Sequence, residues 1–136
     1  MATFIRFAVA HRDTSSDQQQ GVFTALYALK RAGALQPHEE EWFQEITRWF
    51  DENLARPSRL AWSSRPNAPE RAITWLKLSA TEHVSRMREL VALLEHKDIA
   101  VEEFRTDKPG YIVYEDEHQV AAIPFTSETF LNLLQG

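Results

Sequence analysis

The polar residues with the clearest chemical potential lie near the C-terminus, in a segment with the pattern of a β-hairpin. Residues 111–115 and 120–125 have strand composition, and the turn between them begins with Asp116. Adjacent carboxylates such as Glu115 and Asp116 can hold a hard cation or act as a general acid and base. Neighbouring strand residues point to opposite faces, however, and aspartate is a preferred turn residue. The pattern therefore favours a structural Asp116 and leaves Glu115 as the catalytic candidate.

His83 is the second catalytic candidate, because it follows Glu82 on a predicted helix. Histidine–glutamate metal motifs need a second histidine one helical turn away, but residues 79 and 87 are serine and methionine. The spacing from Ser79 to Glu82 matches a capping box, which predicts a structural role for Glu82. The sequence predicts no metal site here, and His83 is either an acid or base or a residue packed at the edge of an apolar stripe.

The segment 56–71 is the strongest candidate for binding. It holds four arginines, three prolines and a single acid, and we interpret it as a long loop. Guanidinium groups bind phosphates and carboxylates through paired hydrogen bonds, and an exposed tryptophan can stack on a base or anchor a partner. Arg59, Trp62 and Arg65 are therefore predicted ligand-binding residues. In the alternative interpretation these arginines pair with the chain's own acids and Trp62 packs on the core.

Three residues outside this loop complete the predicted ligand-binding set, namely Lys77, Arg105 and Tyr111. If Lys77 and Arg105 point toward the same face as the arginine-bearing loop, an anion pocket results. Tyr111 belongs to the polar hairpin described above.

Composition excludes several classes of protein. The chain has 136 residues, no cysteine and only four glycines, so it has no thiol nucleophile, thiolate zinc site or glycine-rich phosphate loop, and we predict no cofactor. A formal net charge of −5 argues against general nucleic-acid binding. Arg6 interrupts the short N-terminal apolar run, which predicts neither a signal peptide nor a membrane span. These features together predict a cytoplasmic protein.

Hydrophobic periodicity predicts the elements that position these residues. Residues 3–9 predict a strand, in which Phe4, Arg6 and Ala8 face one way and Ile5, Phe7 and Val9 the other. The polar stretch 11–20 predicts a loop. Three helices are predicted, which start near Val22, Pro37 and Ser79 and end near Gly33, Leu54 and Asp98. Residues 72–77 could be a strand or the start of a helix, and the capping-box spacing that follows favours the strand. A further strand is predicted over 99–104, before the hairpin. This order predicts one α+β domain over residues 1–136, a two-layer sandwich with a mainly antiparallel sheet of four or five strands and about three helices on one side.

Three sequence segments resemble a family of small uncharacterised bacterial proteins. The patterns are WFxxNLxxPxR at 49–59, AIxWxKxxAxEH at 72–83 and TxxPGYxxYEDxxQVxAxPF at 106–125. Asp98 departs from the family pattern, which favours a helix-ending glycine there, and Leu76 stands in place of phenylalanine. The resemblance implies an intact domain, and since the family has no assigned activity it implies no mechanism.

Two functional hypotheses follow. In the first, the chain is a binding or regulatory module without catalytic activity, which contacts a small anionic ligand or a protein partner through the arginine-bearing loop. In the alternative, it is a small enzyme for a phosphorylated or nucleotide-like substrate, with Arg59, Lys77 and Arg105 holding the anion. Glu115 or His83 would then act as the acid or base. The sequence predicts no oligomeric state.

Overall fold

A computed structural model describes residues 2–12, 19–55 and 72–125 of the chain. The strands in chain order are β1 Phe4–Arg12, β2 Gln19–Gly21, β3 Ile73–Lys77, β4 Val101–Thr106, β5 Tyr111–Glu115 and β6 Gln119–Ile123. The helices are α1 Val22–Arg31, α2 Pro37–Asn53 and α3 Thr81–His96.

The sheet is organised around β1, and each of its pairings is antiparallel. β4 runs beside β1 from Phe4 to Val9. On the other side of β1, β3 pairs with the first residues of β1 and β2 pairs with the last ones. Thus β2 and β3 share one side of β1. β6 and then β5 follow β3 to the far edge. Five longer strands and three helices on one side confirm the predicted α+β sandwich, and β2 adds three residues to the sheet.

The core lies between the sheet and the helices. Ile5, Phe7 and Val9 alternate along β1 and pack against the apolar stripes of the three helices, and Leu76 joins them from β3. We call this side of the sheet the helix-covered face. Its largest fully buried aliphatic and aromatic side chains include Phe43, Leu26, Leu90 and Leu94.

The opposite side of the sheet, which we call the second face, carries the alternate residues of the same strands. Directly paired residues share a face, so Arg6 lies beside Phe104 of β4. Ile5 pairs with Leu76, which places Trp75 on the second face as well. Phe4 and Ala8 are buried on this side.

Two local predictions are wrong. The stretch 11–20 is not entirely loop, because β1 extends to Arg12 and β2 begins at Gln19. The predicted capping box at Ser79 is absent: α3 has Ala80 as its N-cap without a side-chain cap hydrogen bond. That start places Glu82 one position too early for a capping box, and its carboxylate instead pairs with Arg86 at 3.2 Å.

Asp98 ends α3 in a conformation that glycine adopts more readily. Its φ is +64°, and the Ile99 amide donates to the Leu94 carbonyl at 3.0 Å, as in a helix end closed by a left-handed residue. Gly33 holds the same position after α1, with φ +71°. The sequence prediction that Gly33 ends α1 is thus confirmed.

Replacing Asp98 by glycine is expected to stabilise the protein by about 0.5–1 kcal/mol, because glycine adopts positive φ without the clash of a Cβ atom. Urea unfolding at unchanged m-value measures the gain. The reciprocal variant Gly33→Asp has open space around its new Cβ atom and should lose a similar amount through φ alone. Lower stability in Asp98→Gly would contradict this account of the helix end.

Candidate functional site

A cleft lies where β1 and β3 separate. The two strands pair at Ile5 and Leu76, and the next residue of β1 paired on that side is Ala8, with Gly21 of β2. The gap between these pairings opens into a cleft of about 390 Å³. Its described lining is Ile5, Arg6, Phe7, Gly21, Val22, Phe23, Thr24, Leu54, Ile73, Thr74, Leu76 and Met87.

Each helix contributes to this cleft at a defined place. α1 starts at Val22, directly after β2, so the chain turns from strand to helix at the rim. Leu54 lies at the C-terminal end of α2, and Met87 belongs to α3. Gly21 has extended backbone angles, and a Cβ atom built on it would meet nothing within 4 Å. The cleft is therefore mainly apolar and has unfilled space at Gly21.

Arg6 is the only charged residue among the described residues that line the cleft. Its guanidinium carbon lies 5.5 Å from the centre of the Trp75 ring and 5.6 Å from that of Phe104. Burial lowers the pKa of Arg6, yet arginine stays charged at neutral pH. Within ranges 2–12, 19–55 and 72–125, no carboxylate pairs with it. The aromatic rings are its recorded partners.

Trp75 carries a second unmatched donor next to Arg6. Its indole Nε1 is buried and has no hydrogen-bond partner among the residues that the structure describes. Buried polar groups are paired in the large majority of cases, so an unpaired donor calls for an explanation. Two donors without an acceptor therefore lie together on the second face.

The predicted anion-binding residues Lys77 and Arg105 do not meet. Phe4 pairs with both Lys77 and Thr106, so Lys77 lies on the second face, whereas Arg105 pairs with Ile5 and lies on the helix-covered face. Lys77 Nζ is 2.6 Å from the carboxylate of Glu115, the predicted catalytic candidate. Lys77 and Glu115 are thus paired with each other. Because Lys77 and Arg105 lie on opposite faces of the sheet, they cannot bind the same anion.

Arg105 belongs to an exposed ion-pair network on the other face. Its Nε donates to Glu103 at 2.8 Å, and Arg88 of α3 donates to the same carboxylate at 2.6 Å. Partial burial acts to raise the pKa of Glu103, but the two arginine hydrogen bonds outweigh it and lower that pKa. Tyr111, the remaining described member of the predicted binding set, is 42% exposed on the edge strand β5 and contacts Phe125.

His83 is buried and serves the end of α2. Its Nε2 donates to the carbonyl of Asn53, the last residue of that helix, at 2.8 Å. The ring packs edge-on against Trp49 at 4.7 Å and stacks on His118 at 4.3 Å. Over the described ranges, no three histidine or acidic side chains form a group that could hold a metal ion. This environment matches the packed alternative for His83.

Asp116 organises the hairpin turn, as the turn chemistry predicts. Its carboxylate accepts hydrogen bonds from the Tyr114 hydroxyl at 2.7 Å, the His118 amide at 2.8 Å, and the Gln119 amide and side chain at 3.0 and 3.1 Å. The hydrogen bond to Asp116 raises the pKa of Tyr114 to about 12. Gln119 also donates to the Ala55 carbonyl at 2.6 Å, which ties the turn to the residues that follow α2.

Neither the cleft nor a binding role for Arg6 was predicted from the sequence. Strand alternation places Arg6 between Phe4 and Ala8, and a lone charge among apolar neighbours is the signal that could have identified it. The predicted binding residues Arg59, Trp62 and Arg65 lie outside the described residues, so their role stays a prediction.

Comparison of the chain with protein-family models, with curated proteins and with solved structures finds no match. The resemblance to small bacterial proteins therefore stays a prediction. Among the described residues, no helix has the length and apolar character needed to cross a membrane.

Proposed function

We propose that this chain is a cytoplasmic binding module that holds a small, mainly apolar molecule in the cleft between β1 and β3. The observation that carries the proposal is the cleft itself. Its volume of about 390 Å³ falls in the range of small-molecule sites, which are concave and mainly apolar with a few polar groups. Arg6, Thr24 and Thr74 are the polar residues that fit this description.

The size of the cleft supports a binding role over a packing defect. Protein interiors are packed as densely as organic crystals, and unfilled volume next to the core lowers stability. A larger side chain at position 21 could fill part of this volume, since a Cβ atom built on Gly21 meets nothing within 4 Å. An open site at this position is therefore a feature that a bound molecule would fill.

The chain also connects the cleft to the arginine-bearing segment. Leu54 and Ile73, which lie near the two ends of residues 56–71, both line the cleft. We keep the hypothesis of a binding module for an anionic ligand but assign the contact to the cleft, and the role of the arginine-bearing loop stays a prediction. The enzyme alternative loses support, because Lys77 and Arg105 lie on opposite faces.

Two substitutions at the rim test the proposal with the neutral apolar dye N-phenylnaphthylamine as the probe. Gly21→Leu and Thr74→Trp obstruct the cleft from β2 and β3. Each is expected to weaken dye binding, followed by fluorescence, by about tenfold or more, a loss of about 1.4 kcal/mol, because the added side chain occupies volume that the dye would fill.

The matched control is Ala92→Leu, which adds a similar side chain at an exposed position of α3 outside the cleft. This variant should bind the dye like the unmodified chain. Unfolding curves of all three variants establish that they remain folded. Unchanged dye affinity in both rim variants, or no dye binding by the unmodified chain, would overturn the proposed function.

A further inference from the structure

We infer that the ligand of this cleft is a monoanion with an apolar body, such as an aromatic or medium-chain carboxylate, whose charged group Arg6 recognises. This inference rests on the proposed function, since it names the class of molecule that the same cleft would take. Three observations support it: the hydrogen-bonding state of Arg6, the charge of the lining and the start of α1.

Arg6 keeps its hydrogen-bonding capacity unused within the described part of the chain. A guanidinium has five N–H donors, and its contacts with Trp75 and Phe104 are ring contacts that accept none of them as ordinary hydrogen bonds. Contact with aromatic faces also orients the guanidinium plane. Arg6 is thus held in place, charged and partly buried, with donors available for the paired hydrogen bonds that a carboxylate forms.

The charge of the cleft selects against other ligand classes. Arg6 supplies a positive charge, and no acidic residue occurs among the described lining residues. A cationic ligand would be repelled by this arginine, and a neutral one would leave a partly buried charge unpaired, which is costly. A single cation with apolar surroundings suits a monoanion better than a polyphosphate, which several basic groups usually hold.

The start of α1 adds to the same preference. Its first residues, Val22, Phe23 and Thr24, line the cleft together with the N-cap Gly21. The N-cap has no side-chain hydrogen bond and the first turn has no acidic residue, so the free amides at this end are not matched by a local carboxylate. Helix N-termini favour anions, and this one borders the same cleft as Arg6.

Isothermal titration of the full chain with octanoate and with 1-octanol tests the inference, because the two probes share a chain length and differ in charge. Octanoate is expected to bind about tenfold or more tightly than octanol, as charge-assisted hydrogen bonds contribute about 1.5–3 kcal/mol. Arg6→Gln should remove this preference, so that the variant binds octanoate and octanol with about equal affinity.

Arg88→Gln is the matched control, because Arg88 also lies over an aromatic ring, that of Phe7, but pairs with Glu103 and is outside the cleft. It should keep the octanoate preference. Equal affinity for octanoate and octanol in the unmodified chain would overturn the inference and leave the proposed function intact. This measurement does not depend on the folding of any variant. Persistence of the preference in Arg6→Gln would also overturn it, and failure of both probes to bind would overturn the proposed function itself.

Discussion

Replacement of Gly110 by alanine is expected to destabilise the protein by about 3 kcal/mol or more. Gly110 lies in the turn before β5 with φ +130°, a conformation that residues with a Cβ atom rarely adopt. A Cβ atom at this position would lie 2.2 Å from the carbonyl oxygen of Ile123 and 2.8 Å from its carbonyl carbon. Both are backbone atoms of β6, so relief of the clash requires separation of two paired strands.

Urea unfolding at neutral pH measures this loss. Gly21→Ala is the matched control, because its φ is −75° and its new Cβ atom meets nothing within 4 Å. The control should stay within about 0.5 kcal/mol of the unmodified chain. If Gly110→Ala were as stable as Gly21→Ala, the close approach of this turn to β6 would be refuted.

Replacement of Asp116 by alanine is expected to cost about 2–3 kcal/mol. The substitution removes an acceptor that serves the Tyr114 hydroxyl, two backbone amides and the Gln119 side chain. Gln119 is 1% exposed, so water cannot readily replace the lost partner. Glu117→Ala in the same turn is the control, since the Glu117 side chain is 88% exposed and should contribute little.

The Asp116 effect should depend on pH in a predictable direction. Partial burial acts to raise the pKa of Asp116, but the hydrogen bonds from Tyr114, His118 and Gln119 outweigh it and lower that pKa below its ordinary value. A group with a lowered pKa in the folded state adds stability above its unfolded pKa, about 3.9 for aspartate, and loses it as the pH falls through the folded value. Urea unfolding in acid should therefore bring Asp116→Ala and the unmodified chain closer together. A stability difference that stays constant into strong acid would contradict this role.

Local signals in the sequence predicted most of the elements. Gly33 and Pro37 end one helix and start the next, and alternation along β1 assigned Ile5, Phe7 and Val9 to one face, which the structure shows to be the helix-covered one. The start of α3 was misplaced because a distant contact sets it. The Leu78 amide donates to the Thr3 carbonyl at 2.9 Å, which extends the pairing with the N-terminal strand beyond β3 and moves the first helical turn past Ser79.

The site was beyond local reasoning for a related reason. The face on which Lys77 or Arg105 lies depends on strand register, and a shift by one residue would exchange the two faces. Alternation shows that Arg6 and Phe4 share a face, but only the pairing with β3 and β4 brings Trp75 and Phe104 to Arg6. The cleft likewise exists because β2 and β3 share one side of β1, which no local pattern encodes.

The position of β1 also has a consequence for how the chain folds during its synthesis. β1 precedes β4 in the chain by almost a hundred positions, yet its longest pairing is with β4, residues 101–106. Closing such a long loop carries an entropic cost before any contact repays it, and sheets with distant pairings fold slowly. Ile5, Phe7 and Val9 therefore stay uncovered by two of their final neighbours, α3 and β4, until residues 81–106 have left the ribosome.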